Sequence, residues 1–185
     1  MRIISGKARG TKLYTLEGEK TRPTLDRVKE SLFNIIQNAI QDKVFLDLFS
    51  GSGAIGLEAL SRGAKKAILC DKSRKAYEII IKNAEKTHLT ENAEIYNLDF
   101  KDVLQNKINQ ELDIIYLDPP YESDFIIEAV NLILEKNLLN DDSIIIVETD
   151  NKGKIIEQLK KIKCKIEDIR KYGRAYLIFL KKYKY

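Results

Sequence analysis

The distribution of apolar residues along the chain predicts strands and helices that alternate. Short apolar runs with the length of buried strands lie at 44–48, 67–70, 93–98, 113–117 and 143–149. Apolar positions at helical spacing lie between them, at 54–62, 73–87 and 124–138. Repeated βα units of this kind predict an α/β fold, in which a mostly parallel sheet has helices on both faces.

The two ends of the chain depart from this alternation. Near the C-terminus, a helix at 153–161 precedes strands at 164–171 and 174–182, which are joined by the tight turn Tyr172-Gly173. Strands joined by so short a turn are antiparallel, so we expect the sheet to end with an antiparallel strand. At the N-terminus, residues 1–24 predict a small β-hairpin extension, followed by a helix that reaches about Ile40.

The segment Phe49–Leu57, FSGSGAIGL, connects the first strand of the alternation to a helix. Its glycines, Gly51, Gly53 and Gly56, have the spacing G-x-G-x-x-G. Such a loop permits a tight turn and close approach of a ligand to the backbone, so it suits NAD and S-adenosylmethionine equally. Asp71, at the end of the second strand, can accept hydrogen bonds from the ribose hydroxyls of either ligand.

Asp47, at the end of the first strand, favours one of these two ligands. A carboxylate there repels a pyrophosphate but attracts the ammonium and sulfonium groups of S-adenosylmethionine. A purely structural hydrogen bond is the alternative role for Asp47. By position, Asp99 can bind the adenine amino group and Phe100 can pack on its ring, while Asp99 can also cap a helix. The predicted cofactor-binding residues are Asp47, Phe49, Gly51, Ser52, Gly53, Asp71, Lys72, Asp99, Phe100 and Asp118.

A stiff turn, Asp118-Pro119-Pro120-Tyr121, follows the fourth strand. The two prolines fix the backbone and remove two donors, so the turn presents carbonyl and carboxylate acceptors suited to an amino group. Tyr121 offers a face on which a base can stack, which is worth about 1–3 kcal/mol. We therefore predict that Asp118, Pro119, Pro120 and Tyr121 are catalytic residues. They would hold the amine of an extruded base in line with the methyl group.

Composition and charge limit the class of protein. The chain has 185 residues, 44% of them apolar and 32% charged, as expected for one globular domain with a small extension. It has no apolar run that would span a membrane, and its two cysteines and one histidine predict neither disulfides nor a metal site. We expect a cytoplasmic monomer. The net charge is +4 over residues 1–30, −9 over 31–151 and +9 over 152–185, so basic ends flank an acidic centre.

The chain resembles the bacterial 16S rRNA guanine-N2 methyltransferase D family over essentially its full length. The matching segments are RIISGKARGTKL (2–13), RPTLDRVKESLFNII (22–36), LDLFSGSGAIGLEALSRGA (46–64), DPPY (118–121) and YGRAYLIFL (172–180). The resemblance implies a Rossmann-like class I methyltransferase fold with a seven-stranded sheet. It also implies a hairpin extension over 1–24 that contacts RNA and a methyltransferase domain over 25–185.

The same resemblance implies a reaction and a partner. S-adenosylmethionine would methylate the N2 amine of guanine 966 in 16S rRNA, within an assembling small ribosomal subunit, leaving S-adenosylhomocysteine. By position, Gly51 and Gly53 would line the cofactor, Asp71 would bind its ribose, and residues 118–121 would hold the guanine. Two positions depart mildly from the family pattern: Asp71 stands where many members have Glu, and Asp99 where others have Asn or Asp.

The resemblance also assigns a role to the basic N-terminal segment. The residues expected to contact RNA phosphates are Arg9, Gly10, Arg22, Thr24 and Arg27. Losing one such contact would reduce the salt slope of binding by about one unit. Three alternatives stay open: a DNA amino-methyltransferase acting on adenine N6 or cytosine N4, a non-catalytic RNA-binding relative, and an NAD oxidoreductase. The DNA enzymes usually need a recognition insert, for which this chain has no room.

Overall fold

The computed structural model of the protein describes residues 1–16, 23–120 and 124–183. The helices are α1 (Pro23–Ile36), α2 (Ala54–Ser61), α3 (Arg74–Lys86), α4 (Phe100–Asn106), α5 (Phe125–Glu135) and α6 (Lys152–Leu159). The strands are β1 (Val44–Asp47), β2 (Lys66–Cys70), β3 (Ala93–Tyr96), β4 (Leu112–Leu117), β5 (Leu139–Thr149), β6 (Cys164–Tyr172) and β7 (Ala175–Lys182).

Within the described residues, the seven strands form one sheet in the order β3-β2-β1-β4-β5-β7-β6. Strands β1 to β5 run parallel, and β7 is antiparallel to both of its neighbours. The predicted α/β fold with an antiparallel last strand is therefore confirmed. The edge of the sheet, however, is β6. The apolar β7 takes the inner position because residues 177–180 are buried, whereas charged residues recur along β6.

Apolar side chains cover both faces of the sheet, because neighbouring residues of a strand point to opposite sides. Phe45 pairs with Ile114 and packs on one side, towards Leu32 of α1. The next pair along the same two strands, Leu46 and Ile115, packs on the other side, towards α4 and α5. At the carboxyl ends of the strands, polar residues such as Asp47 take the place of these apolar side chains.

Several helix boundaries differ from the sequence prediction. The first helix, expected to reach about Ile40, ends at Ile36 and is followed by a 3-10 turn at Gln37–Ala39. The helix predicted over 124–138 ends at Glu135, and β5 begins at Leu139 instead of 143. Asn137 lies in the left-handed backbone region, with φ 52°, which ends the helix and turns the chain into the strand.

The predicted N-terminal hairpin closes through one bridge pair, Arg2 and Lys12. Its arms do not continue as paired strands, because neighbouring backbone amides bond to a helix instead. The amides of Ile4 and Ser5 donate to the carboxylate of Glu58 in α2, at 2.8 and 3.0 Å. The segment lies so close to α2 that a Cβ on Gly6 would sit 1.7 Å from the Ser61 carbonyl oxygen.

The carboxylate of Glu58 also collects two cations. It is fully buried and lies 3.3 Å from Lys29 Nζ of α1 and 2.8 Å from Arg62 Nε. Lys29 in turn donates to the carbonyl of Arg2 at 2.5 Å. Burial lowers the pKa of Lys29, an effect that the nearby Glu58 carboxylate opposes. One buried carboxylate thus joins the N-terminal segment, α1 and α2.

We expect Glu58→Ala to lower the free energy of unfolding by about 3–5 kcal/mol, since it leaves a buried lysine without its counter-ion and two amides without their acceptor. Chemical denaturation would measure the change. The matched control is Glu78→Ala, which removes an exposed ion pair with Arg74 and should cost less than about 0.5 kcal/mol. Similar losses in the two variants would contradict this account of the buried cluster.

Candidate active site

A cavity of about 520 Å³ opens at the carboxyl ends of the parallel strands, where ligands bind in open α/β sheets. Its wall brings together the predicted residues Asp47, Phe49, Gly51, Ser52, Asp71, Lys72, Asp99, Phe100, Asp118, Pro119 and Pro120. Gly53 does not belong to the wall, and Tyr121 lies outside the described residues. Segments far apart in sequence thus meet around one space.

The glycine loop turns sharply between β1 and α2. Gly51 and Gly53 have φ values of 54° and 80°, a region that glycine adopts without strain. Gly53 caps α2 and donates to the Ser50 carbonyl at 2.7 Å, so its role in the structure is to form the turn. A Cβ on Gly56 would lie 2.7 Å from Leu69 Cδ2, which shows how closely α2 approaches the sheet.

Asp47 is buried in the wall of the cavity, with 1% of its surface exposed. Its Oδ2 accepts a hydrogen bond from the Gly56 amide at 3.0 Å, while Oδ1 has no partner among the described residues. Burial raises the pKa of Asp47 to about 7, and the Gly56 hydrogen bond opposes this rise. Oδ2 thus makes a structural hydrogen bond, the alternative role that the sequence left open for Asp47. Oδ1 is a buried acceptor without a partner among the described residues.

Asp71 fastens the glycine loop to the end of β2. Its Oδ2 accepts from the Gly51 amide at 2.9 Å, and its Oδ1 accepts from the Ser73 amide at 2.8 Å. Each carboxylate oxygen can accept more than one hydrogen bond, so these contacts leave capacity for ligand hydroxyls.

Asp99 caps α4, as the sequence predicted. Its Oδ1 accepts from the Lys101 amide at 3.1 Å, and its Oδ2 lies 3.4 Å from Lys72 Nζ. Lys72 is 81% exposed, so this ion pair lies at the mouth of the cavity. The contact of Asp99 with an adenine amino group stays a prediction.

Three phenylalanine rings form an apolar surface on the wall. Phe49 and Phe125 lie parallel at 6.3 Å between centroids, and each is 5.2 Å from the tilted ring of Phe100. Phe125 was missed from the sequence because it begins the apolar pattern of α5 and so resembled an ordinary core residue. Its position four residues after Tyr121 was the available signal.

A buried pair on β4 and β5 was missed as well. Tyr116 is 3% exposed, and its hydroxyl donates to Glu148 Oε2. Burial raises the pKa of Tyr116 well above its usual value, and the charges of Glu148 and Asp118 act in the same direction. Burial also raises the pKa of Glu148. Both residues lie within apolar strand runs; the signal for Glu148 was a carboxylate at a strand end, like Asp47.

Of the predicted RNA-contacting residues, Arg9, Gly10 and Arg27 are described by the structure, and they do not line the cavity. Arg9 and Gly10 are exposed in the turn of the N-terminal segment, and Arg27 is exposed on α1. Arg22 and the side chain of Thr24 lie outside the described part of the chain. From the same N-terminal region, Met1, Leu16, Val28 and Lys29 do line the cavity, so the extension adjoins it.

The described ranges contain neither a membrane-spanning helix nor a metal-binding cluster. None of the helices there is long and apolar enough to cross a bilayer. No group of three His, Cys, Asp or Glu side chains there is placed to hold a metal ion.

Comparison with known proteins identifies the family. The model of the family described as conserved hypothetical protein 95 matches residues 1–181. Ribosomal RNA small subunit methyltransferase D of Haemophilus influenzae is 39% identical over 158 residues, which cover 84% of this chain and 82% of the relative. The Escherichia coli protein of the same name is 39% identical over 150 residues, covering 81% and 75%. The chain belongs to the ribosomal RNA small subunit methyltransferase D family.

A solved structure supports the same relationship. An Escherichia coli chain described as a methyltransferase matches with a TM-score of 0.84 and 32% identity, over 98% of this chain and 97% of that one. The family resemblance and the class I methyltransferase fold predicted from the sequence are confirmed.

The raised pKa of Asp47 predicts how stability depends on pH. The folded protein retains a proton on Asp47 up to about pH 7, whereas the unfolded chain releases it near the ordinary aspartate pKa of 3.8. The folded state therefore binds more protons between these values, and its free energy of unfolding falls as the pH rises, by up to about 4 kcal/mol. We expect Asp47→Asn to remove this decline in denaturation experiments between pH 4.5 and 8.

The exposed Asp150 supplies the control, because Asp150→Asn should leave the pH dependence unchanged. Parallel curves for the wild type and Asp47→Asn would contradict the assignment of the decline to Asp47.

Proposed function

We propose that this protein transfers a methyl group from S-adenosylmethionine to the N2 amine of guanine 966 in 16S rRNA. The observation that carries the proposal is that one cavity joins two complementary parts. These are the buried, half-satisfied carboxylate of Asp47 and the acceptor-rich turn Asp118-Pro119-Pro120. Membership of a family whose relatives are named for methylation of small-subunit rRNA supports this choice of substrate.

The chemistry of the cavity wall fits S-adenosylmethionine. The unsatisfied oxygen of Asp47 suits its cationic end, and the spare acceptor capacity of Asp71 suits the ribose hydroxyls. Phe100 and Phe49 would pack on the adenine ring, with Asp99 and Lys72 at its polar edge. When bound, this molecule supplies an electrophilic methyl group. A dinucleotide fits less well, because its pyrophosphate would meet the carboxylate of Asp47.

The turn after β4 would position the acceptor amine. Pro119 and Pro120 have no backbone N–H, so they add no donor to the turn. The carboxylate of Asp118 and the carbonyl of Pro119 would accept the hydrogens of the amine. Tyr121 would stack on the base. An amine held by two acceptors keeps a fixed orientation, and such positioning supplies much of the rate enhancement of a displacement reaction.

The N-terminal segment would bind the RNA around the extruded guanine. We propose that Arg9, Gly10, Arg22, Thr24 and Arg27 contact phosphates, with residues 1–24 acting as an RNA-contacting extension of the methyltransferase domain over 25–185. Met1 and Leu16 lie on the cavity wall, so RNA held by this segment would lie beside the site of transfer. We propose that the protein acts as a monomer on an assembling small ribosomal subunit.

Transfer of a labelled methyl group from S-adenosylmethionine to small-subunit particles tests the reaction, and mapping the modified nucleotide tests the position. We expect Asp118→Ala to reduce this transfer by about 100-fold or more while the protein stays folded, because the amine loses an acceptor that orients it. Asp102→Ala, at an exposed position of α4, is the control and should transfer at the wild-type rate.

Wild-type turnover by Asp118→Ala would remove the proposed role of that carboxylate. Labelling of duplex DNA but not of the particles would reject rRNA as the substrate.

A further inference from the structure

We propose that Glu148 selects guanine, by accepting the hydrogen bond of the ring N1–H while Asp118 accepts from the N2 amine. This inference rests on the proposed function. It assigns a specificity-determining role to a residue that lies outside the glycine loop and the proline turn.

The sheet places Glu148 beside Asp118. Strands β4 and β5 are parallel, with Leu117 paired to Val147. The next positions are Asp118, directly after β4, and Glu148, near the end of β5. Neighbouring strands lie about 4.8 Å apart, and residues in register point to the same face of the sheet. Both residues line the same cavity. Two carboxylates from adjacent strands thus face one ligand space.

The hydroxyl of Tyr116 holds the Glu148 carboxylate in a defined orientation. Tyr116 is buried, and its hydroxyl donates a hydrogen bond to Oε2 of Glu148. Among the described residues, no other hydrogen bond to the Glu148 side chain is present. A hydroxyl has one hydrogen to donate, and a buried ring has little freedom to turn away. Oε2 is therefore anchored to the sheet, and Oε1 is the oxygen placed to accept from a ligand.

The two acceptors, on Asp118 and Glu148, match the hydrogen-bond donors of guanine and do not match those of adenine or cytosine. On its Watson–Crick edge, guanine presents the N2 amine next to N1–H, which are two adjacent donors. Adenine and cytosine instead place a ring nitrogen with a lone pair next to the amine. Such a lone pair would face Glu148, which in its ionised form only accepts hydrogen bonds, and both groups would be left unpaired. Sites that bind a substrate N–H reject analogues that lack it for this reason.

The test separates N1–H from the amine. Small-subunit particles are reconstituted with 16S rRNA that carries either guanine or 2,6-diaminopurine at the acceptor position. The second base keeps the 2-amine but has a bare N1. We expect the wild-type protein to prefer guanine in kcat/KM. In Glu148→Gln, the side-chain amide can donate to the bare N1, so the preference should fall by about tenfold or more.

Glu157→Gln makes the same chemical change at an exposed position on α6 and should keep the wild-type preference. An unchanged preference in an active Glu148→Gln protein would overturn the inference, whether kcat/KM stays the same on both bases or falls equally on both. If Glu148→Gln does not fold, Glu148→Asp takes its place, because its shorter side chain withdraws the acceptor from N1. An unchanged preference in that variant would overturn the inference. Failure of the wild-type protein to methylate the guanine particles would instead reject the proposed function.

Discussion

The structure depends on the contact between the Asp47 carboxylate and the amide of Gly56. This bond joins the end of the central strand to the first turn of α2, and it is possible because Gly56 has no side chain to keep α2 from Leu69 and Asp47. It satisfies one oxygen and leaves the other buried without a partner. An unsatisfied buried carboxylate is costly, and a cationic ligand would relieve that cost by stabilising its charge. In the proposed function, the carboxylate that closes the glycine loop therefore also selects a cationic ligand.

Carboxylates perform two kinds of task in this protein. Glu58 is buried and saturated, with two amides and two cations around it, and it joins the N-terminal segment to the methyltransferase fold. The cavity carboxylates retain capacity to accept. Because the parallel strands end at one edge, Asp47 and Asp71 lie near the turn that contains Asp118. Part of the negative charge in the central segment of the sequence therefore lines this cavity.

Much of the fold was predictable because local rules decide it. Continuous apolar runs gave the strands, Asp99 was a candidate helix cap, and the tight turn at Tyr172-Gly173 required an antiparallel last strand. The position of β7 inside the edge was not predicted, because it depends on competition between two strands for burial. The boundary at Asn137 depends on one residue in a left-handed conformation, which the apolar period does not reveal.

The site was predictable where a residue type stood out from its surroundings, and not where the apolar pattern of a strand or helix enclosed it. Asp47, Asp71 and the proline turn stood out because their types are unusual at strand ends. Tyr116 and Phe125 were missed because an apolar pattern assigns them to the core, and Glu148 was missed because its partner is on another strand. Glu58 shows the same limit: inside a helical pattern, nothing indicates that its contacts are amides more than fifty residues away.

The central claim is that a buried carboxylate attracts a cationic methyl donor, and proton release on binding tests it most directly. A cation beside Asp47 lowers its pKa, so binding of S-adenosylmethionine at pH 6 should release close to one proton. Calorimetric titration in buffers of different ionisation enthalpy measures that release. The account predicts release by the wild-type protein and none by Asp47→Asn. Binding that releases equal numbers of protons in the two proteins would contradict it.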